Sequence, residues 1–233
     1  MKKQFYIENI PAALYGQSSK GVYLYVHGQH SHKEAAESFA EVVNGKGWQV
    51  LAIDLPEHGE RKPEKNAFYA WNVVPELRML LKYARERWEY VSLRAHSIGA
   101  YFSMMSYQEE YFKNVQLVSP ILDMQKLCED MMSWAGVSSA ELEEKEFIKT
   151  DFGQTLCWQE YCYAKDYPVR TWNQGTVILY GSRDNLTTLD TVKCFCEMFQ
   201  CGLTVMSGGE HWFHTPEQLG VLRAWTERVT PEL

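Results

Sequence analysis

The stretch Tyr90–Phe102, YVSLRAHSIGAYF, decides the fold. Its first half is rich in apolar and β-branched residues and reads as a strand. Its second half, from Ile98 on, has the spacing of a helix. No loop separates the two. A serine on so abrupt a strand-to-helix turn projects its hydroxyl beyond the end of the sheet, and its neighbours must be small because the backbone there is tight. Ser97 meets that requirement, with Ala95 and Gly99 at two-residue spacing on either side and Ala100 next on the helix. The plainer reading of Ser97 is a helix N-cap, a common use of serine.

Working outward, the same alternation repeats. GVYLYV at 21–26, WQVLAID at 48–54, VQLVSP at 115–120, TVILYGS at 176–182 and LTVMSG at 203–208 read as strands. Helical spacing appears over Lys33–Lys46, Pro75–Trp88, Leu186–Phe199 and Glu217–Val229, and Gln4–Tyr15 reads as an opening hairpin. Strands alternating with helices require crossover connections, hence a mostly parallel sheet covered on both faces, the α/β class. The stretch 121–172 breaks the rhythm. It holds two or three helical patterns and no confident strand, and reads as a helical insertion within a single domain spanning 1–233. Met124, Leu127, Met131, Met132 and Trp134 give it an apolar helical face.

Composition narrows the function. A chain of 233 residues suits one domain, and 45% hydrophobic with 23% charged residues argues against long disorder. A net charge of -7 disfavours a general nucleic-acid binder. Ten acidic against five basic residues fall in 121–172, so most of that charge belongs to the insertion. No apolar run is long enough to span a bilayer, and Glu8 and Asn9 interrupt the place of a signal peptide's apolar core, so a cytoplasmic protein is expected. The six cysteines, at 128, 157, 162, 194, 196 and 201, form no CxxC pair and read as buried free thiols.

In a parallel α/β sheet ligands bind beyond the carboxyl ends of the strands. Besides Ser97, that rule selects Asp184 after VILYGS and His211 after LTVMSGGE. Each has a plain alternative: Asp184 as a helix cap, His211 as a solvated histidine. Together they stand in the order serine, aspartate, histidine, each at a strand end, and the types suit nucleophilic catalysis. A serine hydroxyl is a weak nucleophile, an adjacent neutral imidazole takes its proton, and a carboxylate fixes the imidazole tautomer. His214 is a competing base and Asp123 a competing acid. Asp54 reads as a turn-stabilising carboxylate. His27, His30 and His32 have part of a metallohydrolase spacing, but Lys33 and Glu34 follow where further ligands belong, so no metal is expected. His30 or His32 is a candidate substrate contact. No phosphate-binding loop is present, and no cofactor is expected.

Five segments in order resemble the α/β-hydrolase superfamily of serine hydrolases over almost the whole chain: V-H-G-Q at 26–29, D-L-P-E-H-G at 54–59, A-H-S-I-G-A at 95–100, G-S-R-D at 181–184 and G-G-E-H-W-F at 208–213. Ala95 departs from the usual glycine of the nucleophile elbow. The resemblance implies an α/β-hydrolase fold, with 121–172 as a small helical cap, and a catalytic Ser97, Asp184 and His211. It also implies an oxyanion hole made by the backbone N–H groups of Gln29 and Ile98. The implied activity is cleavage of a small or medium uncharged carboxylic ester through an acyl-enzyme, an esterase-like reaction on a small-molecule substrate. Thioester, peptide or C–C bond hydrolysis use the same machinery, and a non-catalytic binding protein of the same fold is the alternative of another kind. The acidic insertion disfavours a highly anionic substrate such as a coenzyme A thioester. The natural substrate and the oligomeric state stay open.

Overall fold

The structure, a computed structural model, describes residues 1–172 and 175–233. The chain opens with the antiparallel hairpin of β1 (Lys2–Ile7) and β2 (Ile10–Tyr15). Then come β3 (Gly21–Val26), α1 (Glu37–Val43), β4 (Gln49–Ile53), α2 (Ala70–Arg85), β5 (Tyr90–His96), α3 (Ile98–Tyr107) and β6 (Val115–Val118). The segment between β6 and the next sheet strand carries α4 (Met124–Ala135), α5 (Ser139–Lys145), β7 (Phe147–Lys149), β8 (Thr155–Cys157) and α6 (Trp158–Asp166). The chain ends with β9 (Val177–Gly181), α7 (Leu189–Phe199), β10 (Gly202–Met206) and α8 (Pro216–Val229).

The eight strands of the main sheet lie in the order β1-β2-β4-β3-β5-β6-β9-β10. From β4 to β10 every pairing is parallel, and β2 joins β4 antiparallel. Alternate strand residues face opposite layers. Leu24, Leu51, Leu93, Ala95, Leu117 and Ile178 face the side packed by α2, α3 and α7. Tyr23, Tyr25, Val50 and Ala52 face Phe39, Ala40 and Val43 of α1, while Val118 and Leu179 meet Trp225 of α8. Burial on both faces is what makes the parallel strands read as near-continuous apolar runs.

Three helix boundaries differ from the sequence reading. The helix expected from Pro75 begins at Ala70, with Pro75 inside it. Val73 and Val74 are buried with Leu77, Leu80 and Leu81, and that packing outweighs the one backbone hydrogen bond the proline removes. The helix expected from Leu186 begins at Leu189, because Thr188 caps it by accepting the Thr191 N–H. Lys33–Lys46 is a seven-residue α-helix flanked by two 3-10 turns.

The insertion contains a short antiparallel pair, β7 with β8, where no strand was expected. Met132, Leu142 and Leu156 form its own small core, while Met124, Leu127 and Cys128 join the main one. Trp134, expected on the apolar face, is exposed and meets the ring of Phe152 edge-on. The thiols also depart from expectation. Cys128 and Cys157 are buried, but Cys194 is exposed and Cys162, Cys196 and Cys201 are half-buried. Among the described residues no helix is long and apolar enough to cross a membrane.

Candidate active site

Ser97 stands between the last residue of β5 and the first of α3, with φ 52° and ψ -125°. An L-residue adopts that backbone only when its surroundings impose it. Here they do. The Ser97 N–H donates to the Val118 carbonyl, and the Ser97 carbonyl accepts from both Ala100 and Ile121. Gly99 allows the close approach of α3 to β3, since a Cβ there would lie 2.3 Å from the His27 carbonyl oxygen and 2.8 Å from that of Val26. Ala95 is different. It lies within β5 with its methyl fully buried, so the departure from glycine at this position costs the elbow nothing in conformation.

Two further strand ends bring side chains to Ser97. The loops after β9 and β10 are pinned together: the Arg183 N–H donates to the Gly209 carbonyl at 2.7 Å, and the Ser182 N–H to that of Met206 at 2.9 Å. Gly181 and Gly209 touch so closely that a Cβ on Gly181 would lie 2.5 Å from Gly209. In that fixed frame His211 Nε2 lies 2.7 Å from Ser97 Oγ, and His211 Nδ1 lies 2.7 Å from Asp184 Oδ2. The Asp184 side chain is fully shielded from solvent. Its other oxygen, Oδ1, accepts the N–H groups of Leu186 and Thr187. The carboxylate thus braces its own turn with one oxygen and faces the imidazole with the other. It does not cap α7.

The loop after β3 lies against the same serine, for a Cβ on Gly28 would sit 3.1 Å from Ser97 Cβ. Among the described residues neither the Gln29 nor the Ile98 backbone N–H has a hydrogen-bond partner. Two buried imidazoles hold this loop. His27 donates from Nδ1 to the Gly28 carbonyl and accepts the Leu55 N–H at Nε2. His58 donates from Nδ1 to the Pro56 carbonyl and accepts the His30 N–H at Nε2. Both roles require the neutral ring, and burial favours it by lowering the pKa of His58 and taking that of His27 to about 4. The rings lie 5.2 Å apart, so the loops after β3 and β4 brace one another.

The competing candidates sit elsewhere. His214 Nδ1 donates to the Trp212 carbonyl, and its exposed ring stacks on Trp212. Asp123 caps α4 by accepting the Lys126 N–H. Asp54, fully buried, accepts from the Lys33 ammonium and from the backbone N–H groups of Lys33 and Glu60, holding the turn after β4. His32 pairs with Glu34 on the surface, and His30 is exposed. Among the described residues no three metal-ligating side chains converge.

Several residues around the site carry no role in the sequence reading. His58 is visible there only as one letter of a motif. Gln154, in the turn between β7 and β8, exchanges side-chain amide hydrogen bonds of 3.2 and 3.4 Å with Gln29. Arg94 is buried two residues before His96, donates to His96 Nε2 and Gln116 Oε1, and lies between the rings of Phe39 and Trp225. Among the described residues no carboxylate pairs with it, and burial lowers its pKa to about 10. The β-pattern around Arg94 conceals the charge within an apolar run.

The family model described as serine aminopeptidase, S33, matches residues 17–166. No curated protein matches the sequence. Among solved structures, the chain superposes on Est1E from Butyrivibrio proteoclasticus with ferulic acid bound, with a TM-score of 0.76 at 15% identity, covering 97% of this chain and 96% of that one. A monoacylglycerol lipase from Paleococcus ferrophilus gives 0.66 at 17% identity, covering 95% and 99%. The thioesterase domain from the curacin biosynthetic pathway gives 0.63 at 14% identity, covering 97% and 98%. At these identities the structural matches establish the α/β-hydrolase fold.

Proposed function

The chain belongs to the serine aminopeptidase S33 family of α/β-hydrolase serine hydrolases, and on that footing we propose that it cleaves a small or medium uncharged carboxylic ester with Ser97, His211 and Asp184 as its catalytic triad. The observation that carries this reading is the continuous relay of two 2.7 Å contacts from Ser97 Oγ through His211 to Asp184, starting at a serine held at positive φ.

The chemistry follows from those contacts. Ser97 Oγ attacks the ester carbon while its proton passes to His211 Nε2. Asp184 keeps the ring proton on Nδ1 and stabilises the imidazolium. The carbonyl oxygen takes up negative charge, and the N–H groups of Gln29 and Ile98 serve in this reading as its donors, each such donor worth about 3 kcal/mol in the transition state. His211 returns its proton to the departing alkoxide, releasing the alcohol. A water then attacks the acyl-enzyme with His211 as base, and the acid leaves with Ser97 restored.

The insertion 121–172 serves in this reading as the cap of the site. The Gln154–Gln29 bond, which ties its hairpin to the oxyanion loop, supports that. The ester preference draws on the resemblance to Est1E and the monoacylglycerol lipase. The family description favours a second reading, hydrolysis of an aminoacyl amide on the same residues.

The test is labelling by a fluorophosphonate together with turnover of p-nitrophenyl esters and aminoacyl p-nitroanilides. Labelling and ester turnover in wild type, both abolished in Ser97→Ala, are expected. Retained labelling in that variant would sink the site assignment. Preferential turnover of the anilides would favour the amide reading.

A further inference from the structure

Resting on the hydrolase reading above, the geometry points to Gln218 as the positioning residue of the base, a buried amide that clamps both ends of the segment carrying His211. That segment has little else to hold it. Before it, the Gly209 carbonyl accepts the Arg183 N–H, and at its end the Phe213 ring packs with Val118, Leu179 and Trp225. Between those anchors, among the described residues, no backbone N–H from Glu210 to Phe213 has a hydrogen-bond partner, and the Trp212 indole is 74% exposed. Rotation of the segment about the two anchors would swing the His211 imidazole away from Ser97.

Gln218 removes that freedom. It lies in the first turn of α8 and is 5% exposed. Its Nε2 donates to Glu210 Oε2 at 3.3 Å, and its Oε1 accepts the His214 N–H at 3.1 Å. Glu210 immediately precedes His211 and His214 lies three residues beyond it, so one side chain spans the segment with the base inside the span. The amide is itself fixed, since the Gln218 N–H donates to the hydroxyl of Thr215, the cap of α8. Trp225 of the same helix packs against Val118 and Leu179 of the sheet, and the Val118 carbonyl accepts the Ser97 N–H. The clamp thus refers His211 to the strand end that holds the nucleophile.

The residue type follows from the two partners. A carboxylate needs a donor and a backbone N–H needs an acceptor, and a primary amide presents both from one planar group. A glutamate at 218 would set two carboxylates against each other, and a hydrocarbon would leave both ends of the segment untied. Among the described residues no hydrogen bond joins Gln218 to Ser97, His211 or Asp184. It acts through the backbone around the base, as groups behind a catalytic side chain do when they hold its geometry.

The experiment uses the full chain, a p-nitrophenyl ester and three variants, with melting temperatures read alongside. Gln218→Met keeps length and breaks both bonds. Glu210→Ala breaks one of them from the other end, and Glu210→Gln keeps an acceptor there without the charge. We expect Gln218→Met to lower kcat by about 10- to 100-fold with KM changed only a few-fold, the cost of a small misplacement of the base. Glu210→Ala should lose about tenfold in kcat, and Glu210→Gln should recover most of that loss. The second readout is the low-field proton resonance of His211 Nδ1–H opposite Asp184, assigned by its absence in His211→Ala. It should be sharp in wild type and Glu210→Gln and broadened or lost in Gln218→Met. A lowered melting temperature with wild-type kcat and resonance in Gln218→Met overturns the proposal and leaves the clamp a stabilising contact only. Equal loss of kcat in Glu210→Gln and Glu210→Ala also overturns it, because the charge of Glu210 would then act on the base. Glu210 is half-buried at the surface, so its pair of variants carries the test if Gln218→Met does not fold. Absence of turnover and of fluorophosphonate labelling in wild type would count against the hydrolase reading itself, while the resonance still reports on the clamp, so the two failures are distinguishable.

Discussion

His58 Nε2 accepts the backbone N–H of His30 at 2.9 Å, and by that bond the turn after β4 holds the loop after β3 in place. The loop carries the Gln29 N–H, the oxyanion donor of the proposed mechanism, so in that reading a histidine that touches no substrate holds the donor in place. His58→Ala is expected to lower kcat by about 10- to 100-fold, the cost of a small misplacement in a preorganised site, with KM changed only a few-fold. Steady-state kinetics on a p-nitrophenyl ester measure this. An unchanged kcat would mean that the loop holds its shape without His58.

Stability should depend on pH through buried groups that act in opposite directions. His27, His58 and His96 are all held neutral by burial, with His27 lowered to about 4 and His96 well below its ordinary value, the last also through the Arg94 charge. Their unfolded counterparts titrate near 6.5, so below that pH the unfolded chain takes up protons that the native one refuses, and stability drops as pH falls toward the folded values. Glu160 acts in the opposite direction. Its folded pKa, about 7, lies above the unfolded one, so the native state binds the extra proton and that advantage is lost as pH rises through 7. Glu160→Gln should therefore gain melting temperature over wild type more at pH 8 than at pH 5. Calorimetry at the two values decides it, and an equal difference would show that Glu160 is hydrated in the folded protein.

The choice of acid is open to a direct comparison. Asp184→Asn should leave the turn but disturb the proton on His211 Nδ1, lowering kcat by about 10⁴-fold as such substitutions do in other triads. Asp123→Asn removes only charge from the cap of α4 and should keep activity within a few-fold. A larger drop in the second variant would reverse the assignment.

The parts of this site that could be read in the sequence are those that lie at strand ends. Ser97, Asp184 and His211 each follow an apolar run, and the order of the runs locates them together. What the sequence hides depends on contacts between residues far apart in the chain. Glu160, on a helix between Gln159 and Tyr161, looks like any solvated carboxylate, yet the fold leaves it half-buried. β7 and β8 have three residues each, too few to display an alternating pattern. Proline is favoured in a helix's first turn, which points to Pro75 as the start of α2, yet Val73 and Val74 carry the helix past that preference.

Gln29 separates a backbone role from a side-chain one. Its amide side chain pairs with Gln154 on the surface, while the proposed mechanism uses only its backbone N–H. Gln29→Ala keeps the N–H and removes only the tie to the insertion, so kcat should stay within a few-fold. Gln154→Ala should match it in effect. If kcat fell about 100-fold in Gln29→Ala alone, the side chain itself would be acting on the substrate.

Gly99 and Ala95 flank Ser97 symmetrically in sequence and differ in what the fold demands of them. A methyl at Gly99 would strike the carbonyl oxygens of His27 and Val26, which belong to the backbone of β3 and its loop and cannot rotate away. Gly99→Ala must push α3 off the sheet, and the expected cost is about 1–3 kcal/mol, the range for overpacking. The shift carries Ser97 Oγ out of hydrogen-bonding reach of His211, so activity should fall far more than stability does. Ala95→Gly removes a buried methyl and loosens a strand, at about 1 kcal/mol, and should leave kcat close to wild type because the elbow's backbone needs no glycine there. Denaturant melts and kinetics on the two variants test the contrast together. If Ala95→Gly raised kcat markedly while Gly99→Ala was tolerated, the alanine at 95 rather than the glycine at 99 would be the residue that constrains the nucleophile.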